Sequence, residues 1–235
     1  MIQKQFFIKH IPAILWGEAS DRLILSVHGN MSHKADTVID LLAHHATEKG
    51  YQVLSFDLPE HGDRKGGPTL CKVQTCVEEL SIVMEYAKTM AKHISLFGCS
   101  MGAYFSLLAY HDEPLEHAFF LSPVLDMERI IQSMMNWFSV SEERLQAEQE
   151  ISTPIGQTLY WDYYCYVKEH PISCWTVPTD ILYGSADDLC ARETVTDFTD
   201  RFGCHLTVLE LGEHFFHTPE QLQCFQTWLR DFMKE

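Results

Sequence analysis

Ile94-Ser95-Leu96-Phe97-Gly98-Cys99-Ser100-Met101-Gly102-Ala103-Tyr104 decides how this chain reads. Residues 94–97 are a short apolar run of strand type, and residues 101–110 have the make-up of a helix. Between them lies Gly98-x-Ser100-x-Gly102. A strand that turns into a helix within so few residues strains the backbone of the residue at the turn. Small residues flank that position because larger ones would collide. The Ser100 hydroxyl is lifted above the sheet edge, at the start of a helix whose dipole favours negative charge. That is the setting of a serine nucleophile.

Working outward, the same grammar recurs. Residues 23–27 end at His28-Gly29, 53–56 at Asp57, 118–121 at Ser122, 181–183 at Gly184 and 205–211 at Gly212. Most of these runs are apolar almost throughout, as strands covered on both faces of a largely parallel sheet must be. Val73, Val77, Leu80, Met84, Ala87 and Ala91 recur at helical steps, as do Leu222, Phe225, Trp228 and Leu229. Residues 5–9 and 11–16 read as an N-terminal hairpin. The pattern predicts an α/β fold: a mostly parallel central sheet flanked by helices, in one domain over residues 1–235.

One interval breaks the rhythm. Residues 121–179 far exceed what a crossover between parallel strands needs. They hold Trp137, Phe138, Tyr160, Trp161, Tyr163, Tyr164 and Tyr166 beside an acidic stretch at 142–150. The reading is a helical lid insertion over residues 125–175. It leaves one strand at its C-terminal end, the edge that carries Ser100, and returns before another, so Trp137, Phe138 and Trp161 are expected to line a substrate pocket at that edge.

Composition narrows the partners. The chain has 235 residues and a net charge of −16, which repels phosphate backbones and anionic lipid headgroups. Neither nucleic acid nor a membrane is expected as a partner, and no apolar stretch reaches membrane-span length. No signal peptide is read at the N-terminus. The eight cysteines are scattered without a C-x-x-C, which suits reduced thiols in a cytoplasmic protein.

A serine hydroxyl needs a base, and the base needs a carboxylate to set its tautomer. Glu213-His214-Phe215-Phe216-His217 follows the last strand, and His214 is preferred to His217. Tyr183-Gly184-Ser185-Ala186-Asp187-Asp188 follows the strand before it. Asp187 is the first choice of acid, Asp188 the close competitor and Asp126 a third. A zinc site built on His214 and His217 lacks an H-E-x-x-H, and Gly98 to Gly102 lacks the G-K-[ST] ending of a phosphate loop. No metal and no cofactor is expected.

In this order of nucleophile, acid and base, each at a strand's C-terminal end, the chain resembles the α/β-hydrolase family over about residues 22–230. His28-Gly29-Asn30 looks like that family's oxyanion loop. Asp57-Leu58-Pro59-Glu60-His61-Gly62 looks like its D-x-P-G-H-G segment, with Glu60 where glycine is common. The long insertion sits where such proteins carry a cap. The resemblance implies attack by Ser100 on a carbonyl carbon, with His214 as general base. It also implies an oxyanion held by the backbone N–H groups of Asn30 and Met101. The expected substrate is a small-molecule ester or related acyl compound. Thioesterase, peptidase and perhydrolase activities use the same triad, and a ligand-binding protein on the same fold is the non-enzymatic alternative.

Overall fold

Alternate residues of the apolar runs enter two different cores, which is why the runs are apolar throughout. A computed structural model describes residues 2–232. The first half holds β1 (Gln3–Ile8), β2 (Ile11–Trp16), β3 (Arg22–Val27), α1 (Thr37–Glu48), β4 (Gln52–Phe56), α2 (Val73–Met90), β5 (His93–Cys99) and α3 (Met101–Ala109). Next come β6 (Ala118–Leu121), α4 (Met127–Trp137), α5 (Glu142–Glu148), β7 (Glu150–Ser152), β8 (Thr158–Tyr160) and α6 (Trp161–Glu169). The chain closes with β9 (Thr179–Gly184), α7 (Arg192–Phe202), β10 (His205–Leu209) and α8 (Pro219–Phe232).

Leu23 and Leu25 of β3 pack with α2 and α3, whereas Ile24 between them packs with α1 and α8. Leu96 and Phe97 divide in the same way, as do Phe120 and its neighbours Phe119 and Leu121. Each such side chain, fully buried, contributes roughly 1.5–3 kcal/mol.

Among the described residues eight strands form one sheet, ordered β1-β2-β4-β3-β5-β6-β9-β10. The six strands from β4 to β10 are parallel, and the β1–β2 hairpin adds antiparallel to β4. From β3 the chain winds outward to β4, while from β5 it winds the other way to β6. The order therefore reverses between β3 and β5, and the segments that follow their C-terminal ends carry residues 28–31 and Ser100.

Residues 125–175 hold α4, α5 and α6, and also a two-stranded ribbon of β7 and β8 that a purely helical reading omits. Strands of three residues are too short to show a period in sequence. Ile131, Met135, Leu145, Tyr164 and Val167 bury themselves in the same core as α2 and α3. Asp162 fastens α6 to the start of α2 by accepting bonds from Lys72 Nζ (2.8 Å) and Gln74 Nε2 (2.9 Å). No helix of the described residues is long and apolar enough to cross a membrane.

Candidate active site

Ser100 occupies the turn between β5 and α3 with φ 50° and ψ −119°, a region that side chains rarely adopt. Its N–H donates to Leu121 O (3.0 Å) and its carbonyl accepts from Val124 N–H (3.1 Å), so the strained turn is held by the strand beside it. Gly102 is required by close approach: a Cβ there would lie 2.4 Å from the carbonyl oxygens of both Val27 and His28. Burial pushes the adjacent Cys99 thiol up to about 12, which leaves the Ser100 hydroxyl without a competing thiolate.

Ser100 Oγ lies 2.8 Å from His214 Nε2, and His214 Nδ1 lies 2.7 Å from Asp187 Oδ2. The Asp187 side chain is fully buried, and its other oxygen accepts the N–H groups of Leu189 (2.9 Å) and Cys190 (2.8 Å). Those bonds fix the carboxylate plane toward the imidazole. The loops carrying Asp187 and His214 are stitched together by Ala186 N–H to Gly212 O (2.8 Å) and Leu211 N–H to Ser185 Oγ (2.8 Å). They approach so closely that a Cβ on Gly184 would lie 2.3 Å from Gly212 O. The competing residues point elsewhere. Asp188 is exposed, Asp126 caps α4 by accepting from Arg129 N–H (2.9 Å), and His217 turns its Nδ1 to Phe215 O (2.8 Å).

The loop after β3 abuts the serine: a Cβ on Gly29 would lie 3.1 Å from Ser100 Cβ. Asn30 follows in this loop, and Met101 opens α3, where first-turn N–H groups have no partner within the helix. Beneath the loop His28 is fully buried. Its Nδ1 donates to Gly29 O (2.7 Å) and its Nε2 accepts from Leu58 N–H (3.0 Å). Burial, reinforced by the nearby His61, lowers His28 to about 4, so it stays neutral and structural.

Sequence reasoning passed over the clamp that holds this loop. Asp57 accepts from Lys34 N–H (2.9 Å), Lys34 Nζ (2.6 Å) and Asp63 N–H (2.9 Å), tying the loop after β3 to the loop after β4. Burial alone would raise the Asp57 carboxyl, but these hydrogen bonds outweigh it and hold the group below its ordinary value. The segment from Asp57 to Gly62 was the available signal, although nothing in it points to Lys34.

The aromatic residues of the insertion divide. The Trp137 residue is 66% exposed at the end of α4, while Phe138 and Trp161 pack against the large core. A cavity of about 270 Å³ opens between α3, the start of α4, the end of α6 and α7, with Tyr104, Leu125, Val167 and Phe198 in its wall. Trp137, Phe138 and Trp161 do not line it. As for metals, Asp187, Cys190 and His214 bring three potential ligand atoms within 4.8 Å of one another. Burial holds the Cys190 thiol up at about 12, against the thiolate that a metal requires.

Residues 18–157 match the profile of the family described as Hydrolase_4, serine aminopeptidase, S33. No curated protein matches the chain. Among solved structures it is similar to Est1E from Butyrivibrio proteoclasticus with ferulic acid bound. The identity is 19% and the TM-score 0.80, over 98% of this chain and 97% of that one. It is also similar to the Pyrococcus furiosus esterase Pf2001 (17%, TM-score 0.72, 99% and 90%). A third likeness is to alpha/beta hydrolase domain-containing protein 10 from mouse (14%, TM-score 0.77, 99% and 98%). At these identities the likeness is one of fold.

Proposed function

The chain belongs to the Hydrolase_4 (serine aminopeptidase, S33) family, and from that premise we propose a serine hydrolase that cleaves a carboxylic ester of a small or medium-sized substrate. One observation carries the reading: the unbroken hydrogen-bonded chain from Ser100 through His214 to buried Asp187. Ser100 attacks the carbonyl carbon while His214 Nε2 takes its proton. Asp187 keeps His214 in the tautomer that presents a free Nε2 and stabilises the imidazolium. The N–H groups of Asn30 and Met101 hold the oxyanion, each worth roughly 3–4 kcal/mol in such sites. His214 then protonates the leaving alcohol, and water releases the acyl group by the same steps in reverse.

Residues 125–175 act as a lid in this reading, with Trp137, Phe138 and Trp161 gripping an apolar acyl or aryl group. The ferulic acid bound to Est1E makes aryl acids a sensible part of the substrate panel. The chemistry needs neither metal nor cofactor. The eight free cysteines support a cytoplasmic setting. A second reading, an aminopeptidase, is favoured by the description of the family itself. Hydrolysis of p-nitrophenyl esters of graded acyl length, ferulate esters, thioesters and aminoacyl anilides separates them. Esters should turn over at least about tenfold faster than anilides in kcat/KM, a gap of roughly 1.4 kcal/mol. Faster anilide cleavage replaces the esterase reading with the peptidase one.

A further inference from the structure

Beside the oxyanion loop stands a second set of reactive groups that ester hydrolysis does not use. Cys71, partly exposed, lies just ahead of α2, and Cys76 is buried in its first turns. Their sulfurs are 3.7 Å apart. A disulfide needs about 1.7 Å of further approach. The Cys71 thiol also interacts electrostatically with the His61 ring.

His61 is the link to the site. Its Nδ1 faces Pro59 O (2.7 Å) and its Nε2 faces Asn30 Oδ1 (3.2 Å). That same Oδ1 accepts from Met31 N–H (3.0 Å), which identifies it as the amide oxygen. Two ring nitrogens facing two acceptor oxygens both carry protons, so His61 is an imidazolium. Burial opposes this charge, but the interactions with Cys71 and with the Pro59 carbonyl outweigh it and raise His61 above its ordinary value. The bond from Cys76, and then the interaction with His61, bring the Cys71 thiol down to about 6 despite its burial. A thiol held below its ordinary value thus stands beside a histidine that favours its charged form, with a second thiol 3.7 Å away.

We propose that Cys71 and Cys76 form a peroxide-reactive dithiol whose closure to a disulfide slows turnover at the Ser100 site. The Cys71 thiolate attacks the terminal oxygen of a hydroperoxide. An S–O bond forms, the O–O bond breaks, and the leaving alkoxide takes the Nε2 proton of His61. The Cys76 thiol then attacks the Cys71 sulfur, the S–S bond forms, and the departing hydroxide takes the Cys76 proton. Two thiols and one hydroperoxide become one disulfide, one alcohol and one water, with two electrons passing from sulfur to peroxide. Afterwards His61 keeps only the proton on Nδ1. Its Nε2 lone pair meets Asn30 Oδ1 where a hydrogen bond had been, and the loop that carries the Asn30 N–H shifts.

The regulatory half rests on the hydrolase reading; the thiol chemistry does not. The test treats the purified chain with hydrogen peroxide and maps its cysteines by mass spectrometry while ester turnover is followed. A 71–76 linked peptide should form before exposed Cys174 is oxidised, and dithiothreitol should reverse it. Cys76→Ser should trap a sulfenic acid on Cys71. Turnover should fall about fivefold on closure, the scale of one hydrogen bond. Cys71→Ser, which lacks the thiolate, should start at that lower rate and ignore peroxide. Oxidation of Cys174 with Cys71 and Cys76 still free overturns the proposal. So does a disulfide-linked protein that hydrolyses ester as fast as the unlinked dithiol form. If the reduced protein hydrolyses no ester at all, the Ser100 reading fails, while the peptide map still decides the dithiol.

Discussion

Around Ser100 the backbone itself is held in place, whereas the insertion of residues 125–175 is held by side chains. The edge depends on close backbone approaches, Gly102 against the carbonyls after β3 and Gly184 against Gly212, and on Asp57 pinning two loops. The insertion depends on Ile131, Met135, Leu145 and Tyr164 filling a shared core, and on the Lys72–Asp162 pair, which is partly exposed and worth little. Backbone constraints leave one geometry. Side-chain packing tolerates repacking, so the insertion can vary its contacts without losing the fold. Substitutions at the edge should act on chemistry nearly all or none, and those in the insertion by degrees.

The largest effect lies in the triad. His214→Ala should lower kcat about 10⁴- to 10⁶-fold, and Asp187→Asn about 10³- to 10⁴-fold, with the fold retained. Asp188→Asn and His217→Ala should each stay within about twofold, because surface changes away from such networks are small. Steady-state kinetics beside circular dichroism checks the ranking, and its reversal in either pair would show that the edge is not geometrically unique.

Next in size is the clamp. Asp57→Ala leaves Lys34 with a single partner, Asp63, in a nearly dry site, and should cost about 3–5 kcal/mol in denaturant unfolding. The Asp57 carboxyl titrates lower in the folded than in the unfolded chain. Its contribution is therefore complete above an unfolded value of about 4 and is lost as pH falls through the lower folded value. Asp57→Asn should flatten that part of the acid unfolding curve. An unchanged slope would move the acid sensitivity to other carboxylates.

The smallest effects belong to the insertion. Trp137→Ala should change stability by no more than about 0.5 kcal/mol, as its exposure requires. It should nevertheless shift selectivity among ester chain lengths severalfold if the segment is a lid. Phe138→Ala and Trp161→Ala touch the core and should lower the melting temperature as well. If all three leave selectivity unchanged, the aromatics serve packing alone.

How far each region could be read beforehand follows from the same contrast. The strands were legible because burial on both faces leaves apolar runs, and Ser100, Asp187 and His214 could be named as candidates because each follows a strand's end. Asp187 was ranked ahead of Asp188, but the bonds that set them apart, from the N–H groups of Leu189 and Cys190 to one carboxylate, emerge only from the fold. Lys34 was invisible because its partner Asp57 lies far away in sequence and meets it only once the sheet has formed. The β7–β8 ribbon is too short to carry a pattern. His61 stood out in sequence only as part of the segment from Asp57 to Gly62, and its bond to Asn30 emerges only from the fold.

The central claim is that Ser100 is an activated nucleophile, and covalent labelling with a fluorophosphonate tests it most directly. The native chain should take up one probe per molecule, mapped to Ser100, in parallel with loss of ester turnover. Ser100→Ala should keep its fold, take up no probe and show no measurable turnover. Substantial turnover by Ser100→Ala, or a probe mapped to another side chain, would contradict the account.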